Sequence, residues 1–200
     1  MKDLLKITHI PNPQEFFNNW LLEAKTEEQD SHAFALATTN KSGHARSRFL
    51  LFKGWYEGAF CFGTNLLSPK VEDIKANPIV EASFYWPKIK KQVRLLGKAK
   101  VMAPETHKAL FDKRHRESQL ASFISKQSET LESPQKLYQE FQKALNEFEG
   151  KDIPLSENWG AIGIEIHQYE FFQYGKHRLN IRMVIKKDEG SSWQSEFVYP

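Results

Sequence analysis

Arg48-Phe49-Leu50-Leu51-Phe52-Lys53 decides how this chain is read. Four consecutive apolar residues between two cations predict a strand buried on both faces or lying at a subunit interface. A further strand is expected at Ala59–Thr64. Asn65-Leu66-Leu67-Ser68-Pro69-Lys70 then turns the chain into a helix, with Ser68 as N-cap and Pro69 as the first helical residue. A helix N-terminus beside Lys70 and the hydroxyls of Thr64 and Ser68 can receive a phosphate. A capped surface helix with scattered lysines accounts for the same residues.

Around that stretch the pattern is mainly antiparallel β. Asn12-Pro13 opens a helix that carries Phe16, Phe17, Trp20, Leu21 and Ala24 on one face. A strand at Ala33–Thr39, the turn Asn40-Lys41-Ser42-Gly43 and a strand at Arg46–Lys53 form a hairpin. Helix Ser68–Asn77, stopped by Pro78, leads to strands at Ile79–Trp86 and Gln92–Met102. After Pro104 the period becomes helical, with helices at Thr106–Lys113 and Glu117–Ile124. A longer helix from Ser133-Pro134 directs Leu137, Phe141, Ala144, Leu145 and Phe148 inward, and Gly150 ends it. Strands at Trp159–Ile166 and Tyr169–Gln173, and a last one at Trp193–Val198, complete the chain. Seven or eight strands joined mostly by short turns, with helices inserted, predict a mainly β fold with added helices: an antiparallel barrel.

The 200 residues are expected to form a single domain, 1–200, with an irregular arm at 1–11. A net charge of +3, with acidic and basic residues intermixed, gives no argument for nucleic acid. The basic turn Lys88-Ile89-Lys90-Lys91 reads as a solvated hairpin tip, because no basic stripe continues from it. The single cysteine, Cys61, excludes an internal disulfide and is expected to be a buried, inert thiol. The seven histidines show no metal-ligand spacing, and no metal is expected. There is no apolar leader pattern at Met1–Lys6 and no long apolar run, so a cytoplasmic protein that makes no membrane contact is expected. Fifteen Phe and five Trp point to an aromatic core, a large interface or a site for a flat ring. Arg114-His115-Arg116 with Ser118-Gln119, at a junction of helices, can clamp a phosphate or stand as a bare surface cluster.

Taken in order, these clusters resemble one family. Arg48 with Lys53, Thr64-Asn65-Leu66 with Ser68 and Lys70, Gln92-Val93, Arg114 with Arg116 and Ser118-Gln119, Ser125-Lys126-Gln127-Ser128, Trp159-Gly160, and His177-Arg178-Leu179 with Arg182 stand at the spacings of the pyridoxamine 5'-phosphate oxidases. Those are flavoproteins with an FMN-binding split barrel. The resemblance implies that Arg48, Phe49, Leu50, Leu51, Phe52 and Lys53 line FMN with Gly63, Thr64, Lys70 and Gln92, and that Arg48 and Lys70 hold its phosphate. It implies that Gln127, Ser128 and Arg182 reach the FMN of the other subunit, so the site lies in a homodimer interface. Lys53, Arg114 and Ser118 would hold the phosphate of a vitamin B6 substrate, and Arg178, the catalytic candidate, would cover its ring.

Five positions depart from the family's pattern. Leu110 replaces a substrate-binding tyrosine, Asn180 a substrate-binding histidine, Ile181 an acid, Pro69 a basic residue and Phe172 a tryptophan beside the flavin. Leu110 offers the substrate no hydrogen bond and Asn180 carries no titratable proton. The implied activity is oxidation of pyridoxamine or pyridoxine 5'-phosphate to pyridoxal 5'-phosphate, with hydride passing to flavin and then to oxygen. The departures leave two alternatives: an FMN-dependent oxidase of another flat heterocycle, of the phenazine-biosynthesis type, and a non-catalytic flavin or pyridoxal phosphate binder.

Overall fold

The computed structural model describes Leu4, residues 9–188 and residues 192–200. The first helix, α1 (Pro13–Glu27), is capped by Asn12, whose Oδ1 accepts from the Glu15 N–H at 3.1 Å. Its buried stripe is Phe16, Phe17, Trp20, Leu21 and Ala24, as the helical period requires. Of the expected arm at 1–11, most lies outside the described residues. Leu4 and Ile10 are buried, and their N–H groups donate to Gln173 and Ser195.

Nine strands form one antiparallel sheet. β1 (Ala33–Thr39) pairs with β2 (Ala45–Leu51) and with β5 (Ile79–Trp86). β5 pairs with β6 (Lys91–Val101), and β6 with β7 (Trp159–Gln173). β7 pairs on its other edge first with β4 (Ala59–Asn65) and then with β8 (Ile181–Lys187). Two-residue β3 (Trp55–Tyr56) and β9 (Trp193–Val198) lie outside β4 and β8. The ring closes just beyond β2, where Lys53 N–H donates to the Cys61 carbonyl at 2.9 Å and Cys61 N–H to the Gly54 carbonyl at 3.0 Å. The expected antiparallel barrel is therefore present.

Inside it, Phe34, Phe60, Phe84 and Phe171 meet the aromatic face of α1; Phe16 lies edge-on to Phe171 with centroids 4.8 Å apart. A second apolar cluster forms on the far side of β4 and β7, under α3 (Pro104–Asp112), α4 (Arg116–Ile124) and α5 (Pro134–Glu147). α2 (Pro69–Ala76) lies between β4 and β5 in sequence. Among the described residues no helix is long and apolar enough to cross a membrane.

Four expectations need correction. The strands expected at Trp159–Ile166 and Tyr169–Gln173 are one strand, interrupted only by a bulge where the register shifts opposite Leu96/Gly97. Local sequence shows the bulge as a break, because the polar pair His167-Gln168 interrupts the apolar run. The run Phe49–Phe52 is not buried on both faces of the chain: it sits at an edge, with Phe49 80% exposed. Ser68 occupies the N-cap position of α2, yet its hydroxyl makes no cap hydrogen bond. Leu137 on α5 is 42% exposed, because α5 buries only Ala144 and half-buries Phe141, Leu145 and Phe148.

At the bulge a Cβ on Gly97 would overlap the Glu165 carbonyl oxygen and stand 2.7 Å from Ile164 Cγ2. Backbone cannot swing aside as a side chain can. Gly97→Ala should therefore lower stability by about 1–3 kcal/mol, read as a fall in the urea midpoint at unchanged slope.

Candidate functional site

The site begins with a buried cation. Lys70, in the first turn of α2, is only 7% exposed. Its ammonium donates to Thr64 Oγ1 at 2.8 Å, to Ser68 Oγ at 2.8 Å and to Gln127 Oε1 at 3.4 Å. The Ser68 hydroxyl in turn donates to the Asn65 carbonyl at 2.8 Å, which is why it does not cap the helix. Among the described residues no carboxylate lies within ion-pair distance of Lys70. Burial, and secondarily the charge of Arg48, pull its pKa down to about 8.

Arg48 stands beside this cluster. It donates to Thr38 Oγ1 at 2.8 Å and to the Leu36 carbonyl at 3.2 Å, and lies 3.9 Å from buried Asp73. Asp73 also accepts from Thr38 and from Arg46. Two neighbouring cations, two hydroxyls and one amide, with buried Asp73 beside Arg48, suit a phosphate monoester.

The run from Arg48 to Lys53 is divided by the strand period. Arg48, Leu50 and Phe52 lie on the barrel-core side, while Phe49 and Leu51 point to the outer face. Lys53 follows the strand and borders a cleft of about 660 Å³ with Leu21, Lys25 and His32. Burial first, then Arg114, lowers the Lys53 pKa, and burial lowers that of Arg114. Neither cation has a carboxylate partner among the described residues.

Arg114, in the turn between α3 and α4, donates to the Ser118 carbonyl at 2.9 Å and lies 5.2 Å from the Trp159 ring centre. Trp159 packs flat against Gly63, where any Cβ would overlap its ring. In the sequence Trp159 stands only as part of the Trp159-Gly160 pair. The structure makes it the floor shared by Gly63 and Arg114. Leu110 is buried among the apolar residues of the second cluster. Cys61 is buried too, and burial pushes its thiol up to about 11, as an inert cysteine requires.

A second group of expected residues lies at the other end of β7. Gln92, Phe172 and Arg182 stand directly opposite one another on β6, β7 and β8. Gln92 borders an outer-face depression of about 730 Å³ that also includes Phe49, Tyr85 and Arg94. Phe172 meets Tyr174 edge-on at 4.9 Å. Beyond them, His177 and Arg178 are consecutive left-handed residues, φ 55° and 62°, in an exposed turn. Left-handed backbone costs a residue with a Cβ roughly 1–2 kcal/mol, and such strain concentrates at ligand-handling loops. Asn180 Oδ1 accepts from the Gly175 N–H at 3.2 Å, so its amide closes this turn.

Ser128 is exposed, also left-handed at φ 73°, next to Gln127, which meets Lys70 of the same chain. Pro69 is the first residue of α2. The chain thus brings Arg48, Gly63, Thr64, Lys70, Gln127, Lys53, Arg114 and Ser118 to one end of β7, and Gln92, Phe172, Arg182, Arg178 and Asn180 to the other. Thr64 stands opposite Gly160, and Arg182 opposite Phe172, twelve residues further along β7. At about 3.3 Å per residue that is roughly 40 Å of strand.

Comparison with known proteins follows this geometry. A family model described as pyridoxamine 5'-phosphate oxidase, FMN-binding domain, matches residues 14–103. A second, the pyridoxine 5'-phosphate oxidase C-terminal dimerisation region, matches residues 159–200. The pyridoxine/pyridoxamine 5'-phosphate oxidase of Leptospira biflexa is 37% identical over 91% of this chain and 86% of its own length. That of Teredinibacter turnerae is 38% identical over 96% of this chain and 90% of its own. In fold, the chain superposes on PhzG from Burkholderia lata, solved with tetrahydrophenazine-1-carboxylic acid, with a TM-score of 0.90 at 23% identity, covering 96% and 95% of the two chains. The buried, acid-free ammonium of Lys70 among hydroxyls fits the phosphate end of FMN. The chain belongs to the pyridoxamine 5'-phosphate oxidase family of FMN-dependent oxidoreductases.

Proposed function

We propose that this oxidoreductase converts pyridoxamine or pyridoxine 5'-phosphate to pyridoxal 5'-phosphate, as a homodimer that holds FMN between its two copies. The observation that carries this reading is a pair of separate cation sites: Lys70, with no acid within ion-pair distance among the described residues and with Arg48 beside it, and Lys53 with Arg114. Each suits a phosphate monoester, which carries close to two negative charges near neutral pH. Lys70, Thr64, Ser68 and Arg48 hold the cofactor phosphate. Lys53, Arg114 and Ser118 hold the substrate phosphate, and Trp159 keeps the Arg114 guanidinium in place. Arg178, on its strained turn, covers the substrate ring. FMN, when bound, takes the hydride and is reoxidised by oxygen.

The dimer reading draws on the sheet edge and on the C-terminal residues. The exposed edge residues Phe49 and Leu51 and the match of residues 159–200 to a dimerisation region agree with it.

Two departures favour a second reading, in which another flat heterocycle is the reductant. Leu110 is buried without a polar atom, and the Asn180 carbonyl oxygen is engaged by Gly175. Oxygen consumption by the FMN-loaded protein separates the readings. With pyridoxamine 5'-phosphate we expect turnover at a raised KM, the mark of lost uniform binding. Arg114→Ala should raise that KM a further ten- to a hundredfold, as loss of a charge-assisted hydrogen bond of about 1.5–3 kcal/mol requires. No turnover of this substrate by protein that binds FMN would transfer the assignment to the second reading.

Cofactor binding should depend on pH through Lys70. Above pH ~6 the FMN phosphate is largely dianionic, and below about 8 Lys70 is protonated. Affinity should therefore be highest between these values and fall by up to about tenfold per unit as pH rises above 8. In Lys70→Met, FMN titration should show weaker binding and no such fall.

A further inference from the structure

The sequence marks Arg182 as a cofactor residue but gives no sign of what holds it. In the fold that residue is Glu170, which is 5% exposed. Glu170 Oε2 accepts from Arg182 Nη2 at 2.8 Å, and both of its oxygens accept from Arg94 Nη1 at 3.3 Å. The two arginines are not equivalent. Arg94 has a second acid: its Nε and Nη2 grip the two Glu81 oxygens at 2.8 Å each. This grip, more than any other contact, raises the Arg94 pKa. Arg182 has no second acid among the described residues, and its Nε is buried without a partner.

Register explains the arrangement. Arg182 lies directly across from Phe172 and reaches back two residues along β7 to Glu170, while Arg94 stands directly across from Glu170 on the other side. Glu81 on β5 holds Arg94, Arg94 holds Glu170, and Glu170 holds Arg182. The chain of ion pairs therefore ties the end of β8 to three strands of the barrel. A free arginine side chain has rotamer entropy to lose when a ligand fixes it. A buried carboxylate already clamped by Arg94 removes that loss beforehand.

We propose that Glu170 is a positioning residue that presets the Arg182 guanidinium beside Gln92 and Phe172 for the flavin. This rests on the reading that the row formed by Gln92, Phe172 and Arg182 faces FMN. The test is FMN titration, followed by quenching of flavin fluorescence, on full-length wild type, Glu170→Gln, Arg182→Ala and the double variant. Glu170→Gln keeps size and one acceptor, and Arg94 keeps Glu81. Each single variant should weaken FMN binding about tenfold, and the double variant should bind no more weakly than Arg182→Ala alone.

A residue that merely supports the fold would instead add its effect to that of Arg182→Ala. Additive losses, or a Glu170→Gln protein that binds FMN as wild type while Arg182→Ala does not, would overturn the positioning role. Unchanged binding in Arg182→Ala would overturn the underlying reading and the proposal with it. Should Glu170→Gln fail to fold, Glu170→Asp, which keeps the charge and shortens the reach, enters the same cycle with the same expected non-additivity.

Discussion

Everything in this molecule is referred to one strand. β7 runs for fifteen residues and bonds along one edge to β6 and along the other to β4 and then β8. Its first half pairs with β4 and its second half carries β8 and β9, while β6 lies along most of its length. A β-strand cannot fold back on itself without losing its ladder. Residues fixed at its two ends are therefore held apart along the strand. The bulge opposite Leu96/Gly97 lets the strand change course without breaking, which is why Gly97 must lack a side chain.

The charges sort into two kinds. Lys91 with Glu23, Arg94 with Glu81 and Glu170, and Arg182 with Glu170 are matched, and they link elements to one another. Lys70 is buried, Arg114 half-buried and Lys53 exposed at the mouth of its cleft, and none has a carboxylate partner among the described residues. Removing a charge from water costs several kcal/mol unless a partner restores the lost solvation. That cost falls chiefly on buried Lys70, where an anion would offset it. Depressed pKa values at all three are the same fact in another form.

The aromatic richness has a similar division. Most Phe and Trp side chains fill the barrel beneath α1, where Phe17 alone touches five other rings. Phe49 does not join them, because period-2 alternation sends it to the outer face when Leu50 turns inward. An apolar run that in sequence calls for burial on two sides has one side in the core and the other exposed.

Local chemistry was enough to write down most of the elements. Asn12-Pro13 and Ser133-Pro134 start helices with working caps, the strands at Ala33–Thr39 and Ile79–Trp86 alternate cleanly, and Cys61 sits in an apolar run. The cations of the site were legible as well, because phosphate recognition needs residue types that stand out from their surroundings. What the sequence could not show is which cation meets which partner. Ser68 serves Lys70 instead of the helix, Trp159 lies under Arg114, and Glu170 joins Arg94 across 76 residues and Arg182 across 12. Caps and periodicity are properties of a few adjacent residues, whereas these pairings follow from strand register, which is set only when the whole sheet closes.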